Sequence, residues 1–185
     1  MLDKRQGWLT ETSLHQLVQL LRAATSGVTP IVHSVVAATT EAESYTDRAL
    51  RLLVQNSTIS GMRFGTALIG AVEDQFHRSW DDRLNWLSKG FGIDIGGHEV
   101  HSTRTLADLR NAIVHGGGKM TSRQRARVDS QVGLERRFAD LFAVRVEGGV
   151  LHYGSETSFK AIEVAREYVV YLDRAAREQF PELKL

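Results

Sequence analysis

"LRNAIVHGGGKMT", residues 109–121, decides how the chain is read, because its two halves invite different folds. From its second half, "HGGG" suggests an oxyanion loop and "GGGKMT" a phosphate-binding loop, each of which needs a parallel sheet to display it. An oxyanion loop of that kind works with a nucleophilic serine on a strand-to-helix turn, G-x-S-x-G, and no serine here has glycine two residues away on both sides. A phosphate loop needs G-x-x-x-x-G-K-[ST] between strand and helix, whereas Lys119 is followed by Met120. From its first half, Leu106, Leu109 and Ile113 follow helical spacing and the glycines stop the helix, as glycine at a helix C-terminus does.

The flanking sequence continues the helical reading. The spacing predicts a helix from Ser102 or Thr103, the expected cap, to His115, and a polar helix over 122–140. "LFAVRVEGGVLHYG" has two short apolar arms about "EGG" and predicts a β-hairpin. The last helix is expected over 158–179, with Ile162, Ala165, Val169, Leu172 and Ala176 inward. Upstream, Leu68, Val72, Phe76, Leu84 and Leu87 stripe a long helix over 60–88, which "GFGIDIGG" ends. Tyr45, Ala49, Leu52 and Leu53 mark a helix over 40–56. Leu14, Leu17, Val18 and Leu21 mark another, capped by Thr10 or Thr12 and broken at "SGVTP". The expectation is an all-α chain, a helical bundle with a small β-hairpin before the C-terminal helix. Residues 1–185 are read as a single domain, with 40–180 as its core and 1–39 as an N-terminal helical extension.

Composition narrows the class. There are no cysteines, which excludes disulfides and thiolate metal sites and suits a reducing cytoplasm. The N-terminal residues lack a signal-peptide core, and the most apolar run, "PIVHSVVAA", is too short to span a bilayer. A cytoplasmic protein with no membrane partner is expected. The net charge of +1 hides a basic segment: residues 104–137 carry eight Lys/Arg against three acids. Lys119, Arg123, Arg125 and Arg127 are candidates for contacting RNA, although a charge run is also what a solvated helix face looks like.

Helix geometry sets Asn111 and His115 on the face opposite Leu106, Leu109 and Ile113, with Arg110 at the flank, able to reach around. That face is either wet or turned toward another subunit. His98 and His101 have ligand-like spacing but no evident third partner, so no metal or cofactor is expected. Trp80 and Trp86 could stack on bases, or pack internally.

"RNAIVHG" resembles the signature of HEPN domains (higher eukaryotes and prokaryotes nucleotide-binding): an Arg, a polar residue directly after it, and a His four to six residues after the Arg. Arg110, Asn111 and His115 match. The resemblance extends to the setting, a late helix ending in the motif and followed by a hairpin and a closing helix, over roughly residues 40–180. It implies a homodimer whose motif helices meet in one composite site. It further implies a metal-independent endoribonuclease, often a toxin or antiviral effector with a neutralising antitoxin partner, that uses the 2′-OH of the RNA to form a 2′,3′-cyclic phosphate. His115 would then move the proton, Arg110 hold the phosphate and Asn111 orient one of them, with Glu73 as a supporting acid. Other HEPN domains are non-catalytic binding or dimerisation modules. Apart from the resemblance, a helical interaction protein would satisfy the same pattern.

Overall fold

The computed structural model describes residues 8–57, 61–62, 65, 67, 69–70, 78–126 and 128–183. Six α-helices and one hairpin run through them: α1 (Trp8–Thr25), α2 (Ile31–Gln55), α3 (Trp80–Asn85), α4 (His98–Val114), α5 (Val128–Phe142), β1 (Val144–Glu147), β2 (Val150–Tyr153) and α6 (Thr157–Gln179). The mostly helical chain with a two-stranded antiparallel hairpin before the last helix agrees with the sequence reading. No helix among the described residues is long and apolar enough to cross a membrane.

Helices α2 and α6 form the centre, with α1 and α4 packed on both. Alanines at the contacts, among them Ala38, Ala42, Ala49, Ala161, Ala165 and Ala176, are almost wholly buried and let the backbones approach closely. All five α6 residues expected inside are buried, as are Tyr45, Ala49 and Leu53. Polar links are threaded through this core. Tyr45 and Thr10 are joined at 2.9 Å, Thr10 donates to Asp173 Oδ1 at 3.0 Å, and the Tyr168 and Thr46 hydroxyls are 2.8 Å apart. Burial pushes both phenols well above the ordinary tyrosine value.

Several expected boundaries move. Helix α2 starts at Ile31, nine residues before the expected 40. Pro30 precedes it with φ −58°, and "IVHSVVAA" forms its first turns, with Val35 and Ala38 fully buried. The paired threonines at 39–40 are accommodated within the helix, where the Thr39 hydroxyl donates back to the Val35 carbonyl at 2.8 Å. Residues 39–40 therefore lie mid-helix, and Leu17 of α1 is buried with the core. Thr10 and Thr12 are not caps: both lie within α1.

The helix expected over 60–88 is broken in its described part. Ser79 is extended, at φ −153° and ψ 166°, and its Oγ accepts from Asp82 N, so a new helix starts at Trp80. It continues as a π-helical turn, Trp86–Gly90. Leu84 and Leu87 are buried as expected, while Leu68, Val72 and Phe76 lie outside the described residues. Gly92 then takes φ +67°, which glycine adopts without strain.

Helix α4 begins at His98 and not at the expected Ser102 or Thr103, which are buried inside it. The residue before it is Gly97, where a Cβ would stand 2.4 Å from the Tyr171 ring. Residues 121–126 form a turn, so α5 starts at Val128, later than the expected 122.

Candidate functional site

The end of α4 is closed twice over. His115 N still bonds to the Asn111 carbonyl at 2.9 Å, and the chain then folds back so that Gly118 N reaches the Ala112 carbonyl at 3.2 Å and Lys119 N the Gly116 carbonyl at 3.2 Å. This return leaves no room at Gly116, where a Cβ would lie 1.8 Å from the Lys119 carbonyl oxygen and 2.6 Å from that of Ala112. Gly117 and Gly118 take φ +60° and +82°. The loop next joins the hairpin. Met120 N bonds to the Gly149 carbonyl at 2.8 Å and Leu151 N to that of Gly118 at 2.9 Å, an added antiparallel bridge at Lys119 and Val150. The motif's exit is thus fixed by a third short stretch laid along β2.

Above this loop Arg110, Asn111 and His115 meet. Arg110 Nη1 donates to Asn111 Oδ1 at 3.1 Å and lies 3.5 Å from His115 Nε2. Arginine only donates, so this contact is a hydrogen bond in the tautomer whose Nε2 carries the lone pair. His115 is exposed, Arg110 and Asn111 are half-buried, and Leu106, Leu109 and Ile113 are buried beneath them, the arrangement the helix spacing gives. The Arg110 Nε is buried and has no hydrogen-bond partner among the described residues. Val114, next to the motif, is about half exposed at 48%.

The basic residues divide into two groups. Lys119 is exposed on the bridge while Met120 behind it is buried, and the Arg125 side chain lies over the hairpin turn, 3.8 Å from where a Cβ on Gly149 would stand. Arg123 belongs with Arg104 and Arg137 around Asp108. Burial pushes the Asp108 carboxyl upward, against the pull of those three guanidinium groups. Glu73 and Arg127 lie outside the described residues.

The other candidates have local roles. His98 Nε2 contacts Ser102 Oγ at 3.2 Å, and no three His, Asp or Glu side chains among the described residues come together as a metal site would require. Trp80 packs edge-on against Tyr168, with centroids 5.6 Å apart, and Trp86 packs against the core. A shallow cavity of about 300 Å³ lies at the other end of α4, lined by residues that include His98, Glu99, Arg166 and Glu167.

Sequence reading missed two residues that shape the site. The Gln124 side-chain oxygen accepts from Thr121 N at 2.9 Å, its backbone N–H donates to Thr121 Oγ1 at 3.3 Å, and its side-chain Nε2 donates to the Asp108 carbonyl at 2.7 Å. The signal was present, since "TSRQ" is a T-x-x-Q capping pattern. Tyr153 was also missed. Its hydroxyl is buried beside Gly118, 4.0 Å from where a Cβ there would stand, and it has no partner among the described residues. No family model, curated protein or solved structure matches the chain.

Proposed function

We propose that the protein is a HEPN-type, metal-independent endoribonuclease with Arg110, Asn111 and His115 at its site. The observation that carries the reading is the meeting of these three side chains, at 3.1 and 3.5 Å, on an open surface at a glycine-closed helix end. A neutral His115 carries one lone-pair ring nitrogen, which can take the proton of an RNA 2′-hydroxyl. The 2′-oxygen then bonds to the adjacent phosphorus, the bond from phosphorus to the 5′-oxygen breaks, and that oxygen leaves as a 5′-hydroxyl with the proton that the imidazolium gives back. The other product is a 2′,3′-cyclic phosphate. Arg110 offers a guanidinium fork to the phosphate oxygens as charge builds on them. Asn111, by accepting from Arg110, holds that fork beside the imidazole.

The reading includes a second copy of the chain facing this surface, so that two α4 ends share one site. Exposed Val114 beside polar Asn111 and His115 supports a face that is covered in use. The test is to incubate purified protein with total RNA alongside the Arg110→Ala/His115→Ala double variant. Cleavage by the parent that the variant lacks supports the reading. Equal cleavage by both overturns it, and RNA binding without cleavage by either assigns the chain to the non-catalytic members of that class.

A further inference from the structure

We propose that Arg123 and Arg137, gathered with Arg104 about Asp108, form a second phosphate subsite that holds the RNA strand beside the cleaved bond; the inference rests on the ribonuclease reading above. Asp108 precedes His115 by seven residues, two helical turns less about 20°, so the two share one face of α4 with Asn111 between them, roughly 10 Å apart along the axis. A strand bound at Arg110 and His115 and lying along that face passes over Asp108. Three separate elements bring arginines there: Arg104 from α4, Arg123 from the 121–126 turn and Arg137 from α5.

The cluster is built rather than incidental. Gln124 ties the turn to the Asp108 carbonyl at 2.7 Å, which fixes Arg123 next door. The Arg137 guanidinium folds back over Gly133, 3.5 Å from where a Cβ would stand. Arg104 is ion-paired with Asp81. That leaves one carboxylate against two exposed guanidinium groups, a positive excess facing solvent, and burial disfavours the charge on that carboxylate. Planar guanidinium groups in excess suit a phosphate, which each can grip with two parallel N–H donors.

The experiment measures binding of a single-stranded RNA oligonucleotide to the full-length His115→Ala protein across a salt series. For single strands the slope of log affinity against log salt changes by about 0.7 per phosphate contact. Arg123→Gln and Arg137→Gln should each lower the slope by about that amount, while Arg174→Gln, the same charge change at the other end of α4, should leave it alone. In the otherwise wild-type protein the same two changes should raise KM roughly tenfold and spare kcat. Unchanged slopes with unchanged KM overturn the subsite while cleavage by the parent protein keeps the ribonuclease reading. Lowered slopes in a protein that never cleaves would keep the subsite and sink that reading. An effect only on capture of an acidic protein, with RNA slopes intact, also overturns the proposal.

Discussion

Replacing Gly116 by alanine tests whether the motif is held by the glycine loop. A Cβ there would stand 1.8 Å from the Lys119 carbonyl oxygen, and neither that oxygen nor the Ala112 carbonyl is the free end of a flexible side chain. The loop must open, and opening it strains four backbone bonds: Gly118 to Ala112, Lys119 to Gly116, Met120 to Gly149 and Leu151 to Gly118. At about 0.5–1.5 kcal/mol net for each, with water recovering part, the cost is about 3 kcal/mol. Gly117→Ala is the matched comparison. That position has open space but φ +60°, so only the left-handed strain of about 1 kcal/mol applies. In urea unfolding followed by circular dichroism, a slope of about 2 kcal/mol/M puts the Gly116→Ala midpoint roughly 1.5 M below the parent and Gly117→Ala roughly 0.5 M below. Equal midpoints for Gly116→Ala and the parent would refute the closed loop.

Asp108→Asn should raise the melting temperature at neutral pH. Burial holds the folded-state carboxyl above its ordinary 3.8, so the folded state binds that proton more tightly, and this stability is present below 3.8 and lost as pH rises through the folded value. The advantage of the variant should therefore grow with pH across that range, and melting curves at several pH values that show it shrinking would contradict the burial argument. Arg83→Met should cost about 3 kcal/mol, because Arg83 is buried and grips Asp47 through Nε at 2.7 Å and Nη2 at 3.0 Å. Arg83→Met/Asp47→Asn should recover part of that loss in urea unfolding, and no recovery would contradict an electrostatic cause. If two copies face each other across the α4 ends as proposed, Val114→Glu should turn the dimer into a monomer in light scattering and remove cleavage, because it would set two like charges against each other there. A dimer unaffected by this change would place the interface elsewhere.

The sequence was most legible where periodicity and glycine agreed. Leu106, Leu109 and Ile113 point inward and the chain stops at the glycines; the "EGG" hairpin forms with Gly148 and Gly149 at φ +58° and +82°, as a two-residue turn requires. Helix starts were least legible, because local propensity was overridden by tertiary contacts. Ser102 and Thr103 look like caps, yet their hydroxyls find partners one turn back, and the helix starts at His98, after a Gly97 that packs against Tyr171. Val35 and Ala38 belong to what reads as a short apolar run, yet both are fully buried in a helix on which α1 and α6 pack. At the site, the shared face of Asn111 and His115 followed from spacing alone. The bridge that lays Lys119 along Val150, and the gathering of Arg104, Arg123 and Arg137 at Asp108, depend on contacts between distant segments that no local pattern encodes.

The central claim is that the RNA's own 2′-hydroxyl is the nucleophile, with His115 moving the proton and Arg110 steadying the phosphate. It is tested most directly by mapping one cleavage site, placing a single 2′-deoxy nucleotide on its 5′ side, and repeating the digestion in excess EDTA. The account predicts that the all-ribose strand is cut in EDTA and ends in a cyclic phosphate, while the deoxy-substituted bond stays intact. Undiminished cutting at the deoxy-substituted bond, or loss of all cutting in EDTA, would contradict it.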